Sequence, residues 1–371
     1  MSEDRMPTIG IKRDWKGKGK AESSIDSMDD DEDSMPAPKK NLKWERHFYY
    51  HEEKDFMIAD EEIEDCHWCQ INAFPTAEPY PITITNFIDE STLPDDFRFI
   101  DKSVLHQKID LAPEEFRSGC GCRNTGDCKY AGCNCLEDMD FDMEEALAMR
   151  QKVYSYHSQG EKAECLRGTK LHSRNPIYEC HKGCECDTSC SNRVVERGRK
   201  IPLNIFKTEN RGWGVRSSVK IRKGQFIDLY VGHIITSQEA DRRRKKSEFA
   251  QRKDVYLFAL DKFSDPESAD PRLRRKPYEV DGEFMSGPTR FINHSCDPNL
   301  RIFARVGDHA DKHIHDLAFF AIKDIAPMTE LTFDYVDGES APLLKDSKND
   351  DKVKDMTKCL CGSRKCRGFL W

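Results

Sequence analysis

Hydrophobic and polar positions along the chain fall into blocks. From Trp44 to about Phe116 aromatic and β-branched residues recur, and "PITITNFI" alternates well enough to predict a strand. Residues 201–337 hold short β-rich runs, "IPLNIF", "QFIDLYVGHII", "DVYLFAL", "DLAFFAI" and "ELTFDYV", separated by Gly, Pro and charge. Several short strands with few helical patterns predict a mainly β domain. Before it lies a cysteine-dense block from Cys120 to Cys190, split by a spacer of helical composition, "MDFDMEEALAMRQKVYSYHSQG". No internal repeat is visible.

Two segments break the pattern. Residues 1–45 carry a basic "KGKGK" and then an acidic "DDDED", with too little apolar surface to offset their chain entropy, and read as a disordered tail. Its basic part is a solvated stretch, a nuclear-import signal or a nucleic-acid contact. The polar run "DGESAPLLKDSKNDDKVKDM" reads as a linker to a terminal "KCLCGSRKCRGFLW". The expected organisation is a tail at 1–45, a flanking region at 46–115, a cysteine region at 116–200, the β domain at 201–337, a linker at 338–354 and a terminal tail at 355–371.

A chain of 371 residues can bury a core without disulfides. Its formal net charge of -8 does not imply direct DNA binding and suits a cationic peptide partner. No run of about 18 apolar residues is present, and "MSEDRMPTIGIKRDWKGKGK" lacks the apolar core of a secretory leader. The expectation is an intracellular protein with no membrane partner. In a reducing compartment the 16 cysteines are metal ligands rather than a disulfide framework.

"CGCRNTGDCKYAGCNC" supplies Cys120, Cys122, Cys128, Cys133 and Cys135, and "CHKGCECDTSC" supplies Cys180, Cys184, Cys186 and Cys190. Zinc takes four ligands in a tetrahedron and favours thiolate. Nine thiolates satisfy three zinc ions when six are terminal and three each bridge two metals; the alternative is two four-cysteine sites with one spare thiol. Either is closed to water and structural. The tail offers three cysteines, Cys359, Cys361 and Cys366, and needs a fourth from Cys66, Cys69, Cys165 or Cys296. Cys296 lies in "RFINHSCDPN", where its choice would fasten the tail against "NHSC". "CHWC", Cys66 to Cys69, has zinc-like spacing without a second pair nearby, and Cys165 is isolated.

Four motifs follow in chain order, "RGWGV", "YVGHI", "RFINHSCDPN" and "ELTFDYV". Singly each is weak, since a GxG such as Gly212 and Gly214 is usually a turn. Between a nine-cysteine array and a CxC-x4-C tail, they resemble SET-domain protein lysine methyltransferases. The similarity is to the suppressor-of-variegation type acting on lysine 9 of histone H3, in the short filamentous-fungal form without a chromodomain.

The resemblance implies a mainly β SET fold of small sheets with a threaded pseudoknot, flanked by a zinc-cluster pre-SET region and a zinc-binding post-SET tail. It implies S-adenosylmethionine as methyl donor, zinc (three ions in the pre-SET cluster, one in the post-SET site), the histone H3 N-terminal tail as substrate, and action in the nucleus at chromatin. It also implies recruitment proteins that the sequence does not name. Arg211, Gly212 and Trp213 would hold the donor with Asn293 and His294; Arg290 and Tyr256 would contact it, Trp371 would cover it, and Lys207 would meet its carboxylate.

Tyr335 would orient the amine and, if partly ionised, offset the sulfonium charge, while Tyr230 forms the other wall of the lysine channel. Phe333, two residues from Tyr335 and so placed on the same strand face, would set di- and trimethylation. Asp254 and Asp261 are candidates for pairing with a substrate arginine. His233 stands where relatives often carry glutamate, and "DRRRKKSEFAQRKD" is unusually basic beside an acidic groove. Competing readings are an inactive chromatin scaffold, a zinc store, or methylation of another lysine or of a non-histone protein.

Overall fold

The computed structural model describes residues 66–94, 96–123, 126–130, 132–136, 143–149, 154–246, 256–336 and 356–370. The expected tail and linker lie outside the described residues, as do Asp254 and Trp371. Among the described residues no helix is long and apolar enough to cross a membrane.

The strands are β1 (Ile82–Thr85), β2 (Arg98–Phe99), β3 (Val104–Leu105), β4 (Ile177–Tyr178), β5 (Leu203–Lys207), β6 (Trp213–Arg216), β7 (Phe226–Tyr230), β8 (His233–Ile235), β9 (Leu257–Ala259), β10 (Glu279–Asp281), β11 (Met285–Ser286), β12 (Asn293–His294), β13 (Leu300–Val306), β14 (Asp316–Ala321) and β15 (Glu330–Phe333). Short helices intervene: α1 (His67–Asn72), α2 (Met143–Ala148), α3 (Gly168–His172), α4 (Ser237–Lys246) and α5 (Pro271–Arg274). The strands form sheets ordered β1-β5-β6-β15-β12, β3-β8-β10-β9 and β4-β13-β14-β7, with a β2-β11 ladder.

Local pattern explains most of the pairing. Ile82 and Ile84 of β1 and Leu203 and Ile205 of β5 are buried on alternate positions, and the two strands run parallel in register. "QFIDLYVGHII" divides into β7 and β8 around Gly232, where a Cβ would strike the main chain of Asp281 and only glycine fits. The "NHS" segment lies parallel to β15, Asn293 opposite Thr332 and His294 opposite Phe333. That placement juxtaposes two motifs that lie about forty residues apart in sequence.

One core gathers Ile205, Val215, Phe291, Phe319 and Phe333 beneath the first sheet; a second surrounds the cysteine region with Tyr156, Phe226, Phe303 and Phe320. Arg305 of β13 is buried in the second and paired with Glu179, Glu196 and Asp316 at 3.1, 2.7 and 2.9 Å. The basic run in α4 is largely neutralised within the fold. Arg242 and Arg243 pair with Glu239, Arg243 also with Asp281, and Arg244 with Asp241 and Glu279. His233, on the neighbouring strand, is buried with its Nδ1 3.1 Å from Arg243.

Candidate active site

Between β5 and β6 the chain makes a tight turn. The Thr208 hydroxyl donates to Gly212 O at 2.9 Å and accepts the Arg211 N–H at 3.0 Å. Gly212 has φ +68°, and a Cβ there would meet nothing within 4 Å, so the turn is open on that side. At Gly214 a Cβ would lie 2.9 Å from Glu330 Oε1. Glycine there makes room for a carboxylate that accepts from the Arg211 guanidinium and, at 2.9 Å, from Asn293 Nδ2. Asn293 Nδ2 also donates to Trp213 O at 3.0 Å.

Glu330 thus ties the turn to β12. Sequence reasoning did not single it out, although it heads the "ELTFDYV" motif. Lys207 is paired: its Nζ is 2.6 Å from Ser91 Oγ and 3.3 Å from Asp89, and lies 5.6 Å from the centre of the Trp213 ring. Arg290 stacks on Tyr256 at 4.1 Å and on Phe291 at 4.8 Å, while its Nε is buried without a partner. An orphaned guanidinium N–H, an open glycine turn and two cations beside it are features that a zwitterionic nucleoside ligand satisfies.

A chain of rings continues inward. Tyr230 packs edge-on against Phe258 at 4.6 Å, Phe258 lies 5.9 Å from Phe333, and Phe333 lies 4.7 Å from Tyr335. Phe319 closes the back of Phe333 at 4.9 Å. Tyr335 sits in a turn just past β15, so its contact with Phe333 comes from that turn and not from a shared strand face as the sequence suggested.

Both phenols have committed their protons. Tyr335 donates to Ile292 O at 2.8 Å, and Tyr230 donates to Tyr256 O at 2.9 Å. Burial pushes both above the usual tyrosine range, Tyr335 helped by nearby Tyr256 and Tyr230 opposed mainly by Arg290. Burial thus works against the partial ionisation of Tyr335 expected from sequence. A phenol oxygen that donates its proton can also accept from another donor.

His294 is a hub. Its Nδ1 accepts the Tyr335 N–H at 3.1 Å, its Nε2 lies 3.3 Å from Cys296 Sγ, and Arg367 reaches it at 3.4 Å. Burial, resisted by Asp334 and aided by Arg367 and Arg211, lowers its pKa to about 4. Arg367 grips Asp334 with hydrogen bonds of 2.8 and 2.6 Å, binding the tail to the turn that carries Tyr335.

The thiols meet a geometric test for metal. Four sulfurs at about 2.3 Å from a tetrahedral zinc lie about 3.8 Å apart. Cys120 Sγ is 3.8 Å from Cys128 and 3.9 Å from Cys180; Cys296 is 3.8 Å from Cys359. Groups able to hold a metal are Cys120, Cys122, Cys128 and Cys133; Cys120, Cys135, Cys180 and Cys184; Cys120, Cys128, Cys180 and Cys186; and Cys296, Cys359, Cys361 and Cys366. Cys190 is in none of these groups, although its thiol interacts with Cys128, Cys180 and Cys186.

Other candidates lie apart. Among the described residues, Cys66, Cys69 and Cys165 fall in no such group, and burial raises the Cys66 thiol to about 12. Asp261 is exposed just beyond β9.

The SET domain family model matches residues 212–336 and the pre-SET motif model residues 74–193. The H3 lysine-9 specific histone-lysine N-methyltransferases KMT1 of Fusarium mangiferae and dim-5 of Neurospora crassa are each 57% identical, over 342 and 327 residues, covering 88% of this chain and 98% of theirs. The solved Neurospora DIM-5 SET structure aligns with TM-score 0.65 at 57% identity, over 76% of this chain and 100% of that one. Arabidopsis thaliana SUVH6, solved with S-adenosylmethionine, aligns with TM-score 0.59 at 31% identity, over 82% and 56%. KRYPTONITE, solved with an H3(1-15) peptide, aligns with TM-score 0.59 at 25% identity, over 85% and 56%. The chain belongs to the histone-lysine N-methyltransferases that join a pre-SET motif to a SET domain.

Proposed function

We propose that this chain transfers methyl groups from S-adenosylmethionine to lysine 9 of histone H3, carrying it to the di- and trimethyl states in support of heterochromatin and gene silencing. The observation that carries the reading is the pairing of β12 with β15. It brings Asn293 and His294 beside Phe333 and Tyr335, at the end of the ring chain that begins at Tyr230. The named identities of the fungal relatives supply the substrate.

The donor supplies a methyl group on a cationic sulfonium. Lys207 and Arg211 would hold its carboxylate end, the Arg211–Trp213 turn and Asn293 its main-chain contacts, and Arg290 on Tyr256 its other end, with Trp371 as cover. The substrate ammonium has an ordinary pKa of about 10.4 and must lose a proton before attack. Desolvation between Tyr230, Phe258, Phe333 and Tyr335 lowers that value, and a neighbouring cation lowers it further.

Tyr335 and Tyr230 have donated their hydroxyl protons to Ile292 O and Tyr256 O. A phenol oxygen can donate and accept at once, so both would accept the amine N–H groups and aim its lone pair along the line of transfer. Tyr335 acts as a neutral, oriented dipole. Phe333 offers no hydroxyl to restrain a methylated amine. Asp254 or Asp261 would pair with a substrate arginine.

Zinc would be structural. In the pre-SET region Cys120, Cys128 and Cys180, shared between the overlapping groups, would hold three ions together with Cys122, Cys133, Cys135, Cys184, Cys186 and Cys190. A fourth ion held by Cys296, Cys359, Cys361 and Cys366 would fasten the tail over the donor. The substrate implies work on chromatin in the nucleus, with recruitment proteins to deliver it.

The test is transfer of label from S-adenosylmethionine to full-length H3 and to H3 with alanine at position 9, read by mass spectrometry. Label on the first alone is the expected result. Label on both would discard the assigned lysine, and label on neither, with zinc retained, would favour the inactive scaffold.

A further inference from the structure

The loop 86–91, outside the segment matched by the SET model, reaches the donor turn through Lys207. Asp89 Oδ1 accepts from Asn86 Nδ2 at 2.8 Å, from the Ser91 N–H at 2.9 Å and from the Ser91 hydroxyl at 2.6 Å. Asn86 Oδ1 in turn accepts the N–H groups of Ile88 and Asp89 at 2.9 and 3.1 Å, and Asn86 Nδ2 donates to Ser91 O at 2.8 Å. The loop is closed by side-chain to main-chain and side-chain to side-chain bonds, a geometry that fixes where its oxygens point. Those oxygens meet Lys207 Nζ, 2.6 Å from Ser91 Oγ and 3.3 Å from Asp89 Oδ2. β1, which leads into the loop, pairs in register with β5, which ends at Lys207.

We infer that Asp89 and Ser91 are positioning residues for the donor, holding Lys207 against Trp213 so that its ammonium already faces the carboxylate it will bind. A free lysine side chain would lose rotamer freedom on being fixed; here the loop has fixed it beforehand. Lys207 has three N–H donors. Two serve the loop and leave one for the ligand. The inference rests on Lys207 meeting the donor, and the experiment separates the two claims.

Asp89→Asn keeps an oxygen for the Asn86 and Ser91 bonds and removes the charge. Calorimetric titration of the purified full chain with S-adenosylhomocysteine, the demethylated donor, measures affinity without turnover. The expected result is about two- to fivefold weaker binding for Asp89→Asn, the scale of an exposed ion pair, with the KM for H3 peptide unmoved. Ser91→Ala should weaken binding in the same direction.

In a Lys207→Met background, which itself binds more weakly, Asp89→Asn should add nothing. Unchanged or tighter binding by Asp89→Asn, or an equal effect without Lys207, would overturn the inference while leaving Lys207 in its role. No effect of Lys207→Met would remove the premise and the inference together.

Discussion

Phe333→Tyr adds one hydroxyl to a ring that is 4% exposed and packed against Phe319, Tyr335 and Phe258. The phenol that packs on it, Tyr335, has already given its proton to Ile292 O. An unpartnered buried hydroxyl costs about 1–3 kcal/mol, so the new group will take an N–H of the substrate amine or a water beside it. Each methyl added to the amine removes one N–H, and the last addition must break that contact or expel that water. The final step should therefore slow by about 5- to 160-fold, the same 1–3 kcal/mol expressed as rate. The first step changes little. Time courses of H3 peptide followed by mass spectrometry should show trimethyl product for the parent chain and accumulation at mono- and dimethyl for the variant. Trimethylation at the parent rate, in a variant that still binds donor, would refute the reasoning.

Three further outcomes are expected. Cys361→Ser opens the tail clamp, so activity should vanish while the metal content measured by atomic absorption falls by about one zinc per chain; full activity with that zinc missing would contradict the clamp. Arg305→Met leaves the fully buried Glu179 without its 3.1 Å partner, which should cost about 3–5 kcal/mol in denaturant unfolding; a loss below about 1 kcal/mol would show that Tyr156 and the main-chain N–H groups of Val194 and Val195 suffice for it. Because burial raises Tyr335 and Tyr230, the single-turnover rate should climb with pH as the substrate ammonium loses its proton and then hold level to about pH 10. A decline beginning below about pH 9 in protein that keeps its zinc would mean that a phenol ionises early.

What could be read from the chain was the kind of chemistry; what could not was adjacency. β5, β7, β14 and β15 fall where apolar runs predict them, since each buries side chains on a local pattern. β13, the longest strand at 7 residues, was not visible. "LRIFARV" carries Arg301 and Arg305, which locally signal solvent, and Arg305 goes inside only because Glu179, Glu196 and Asp316 surround it. β12 is 2 residues long and has no hydropathy signature of its own; it exists because β15 lies beside it.

The same divide runs through the site. Tyr335, Tyr230 and Phe333 stand out in motifs, and the cysteines stand out because tetrahedral valence can be counted along a sequence. Which thiols meet cannot: Cys120 and Cys180, sixty positions apart, approach to 3.9 Å. Glu330 looks like any strand-leading carboxylate until Gly214 makes room for it, and Asp89 looks like loop until Lys207, 118 positions later, is found against it. A fold of small sheets buries too little in any one ladder to fix its own layout. Long-range ion pairs and clustered thiols fix the layout here, and these are the contacts that a local pattern is least able to report.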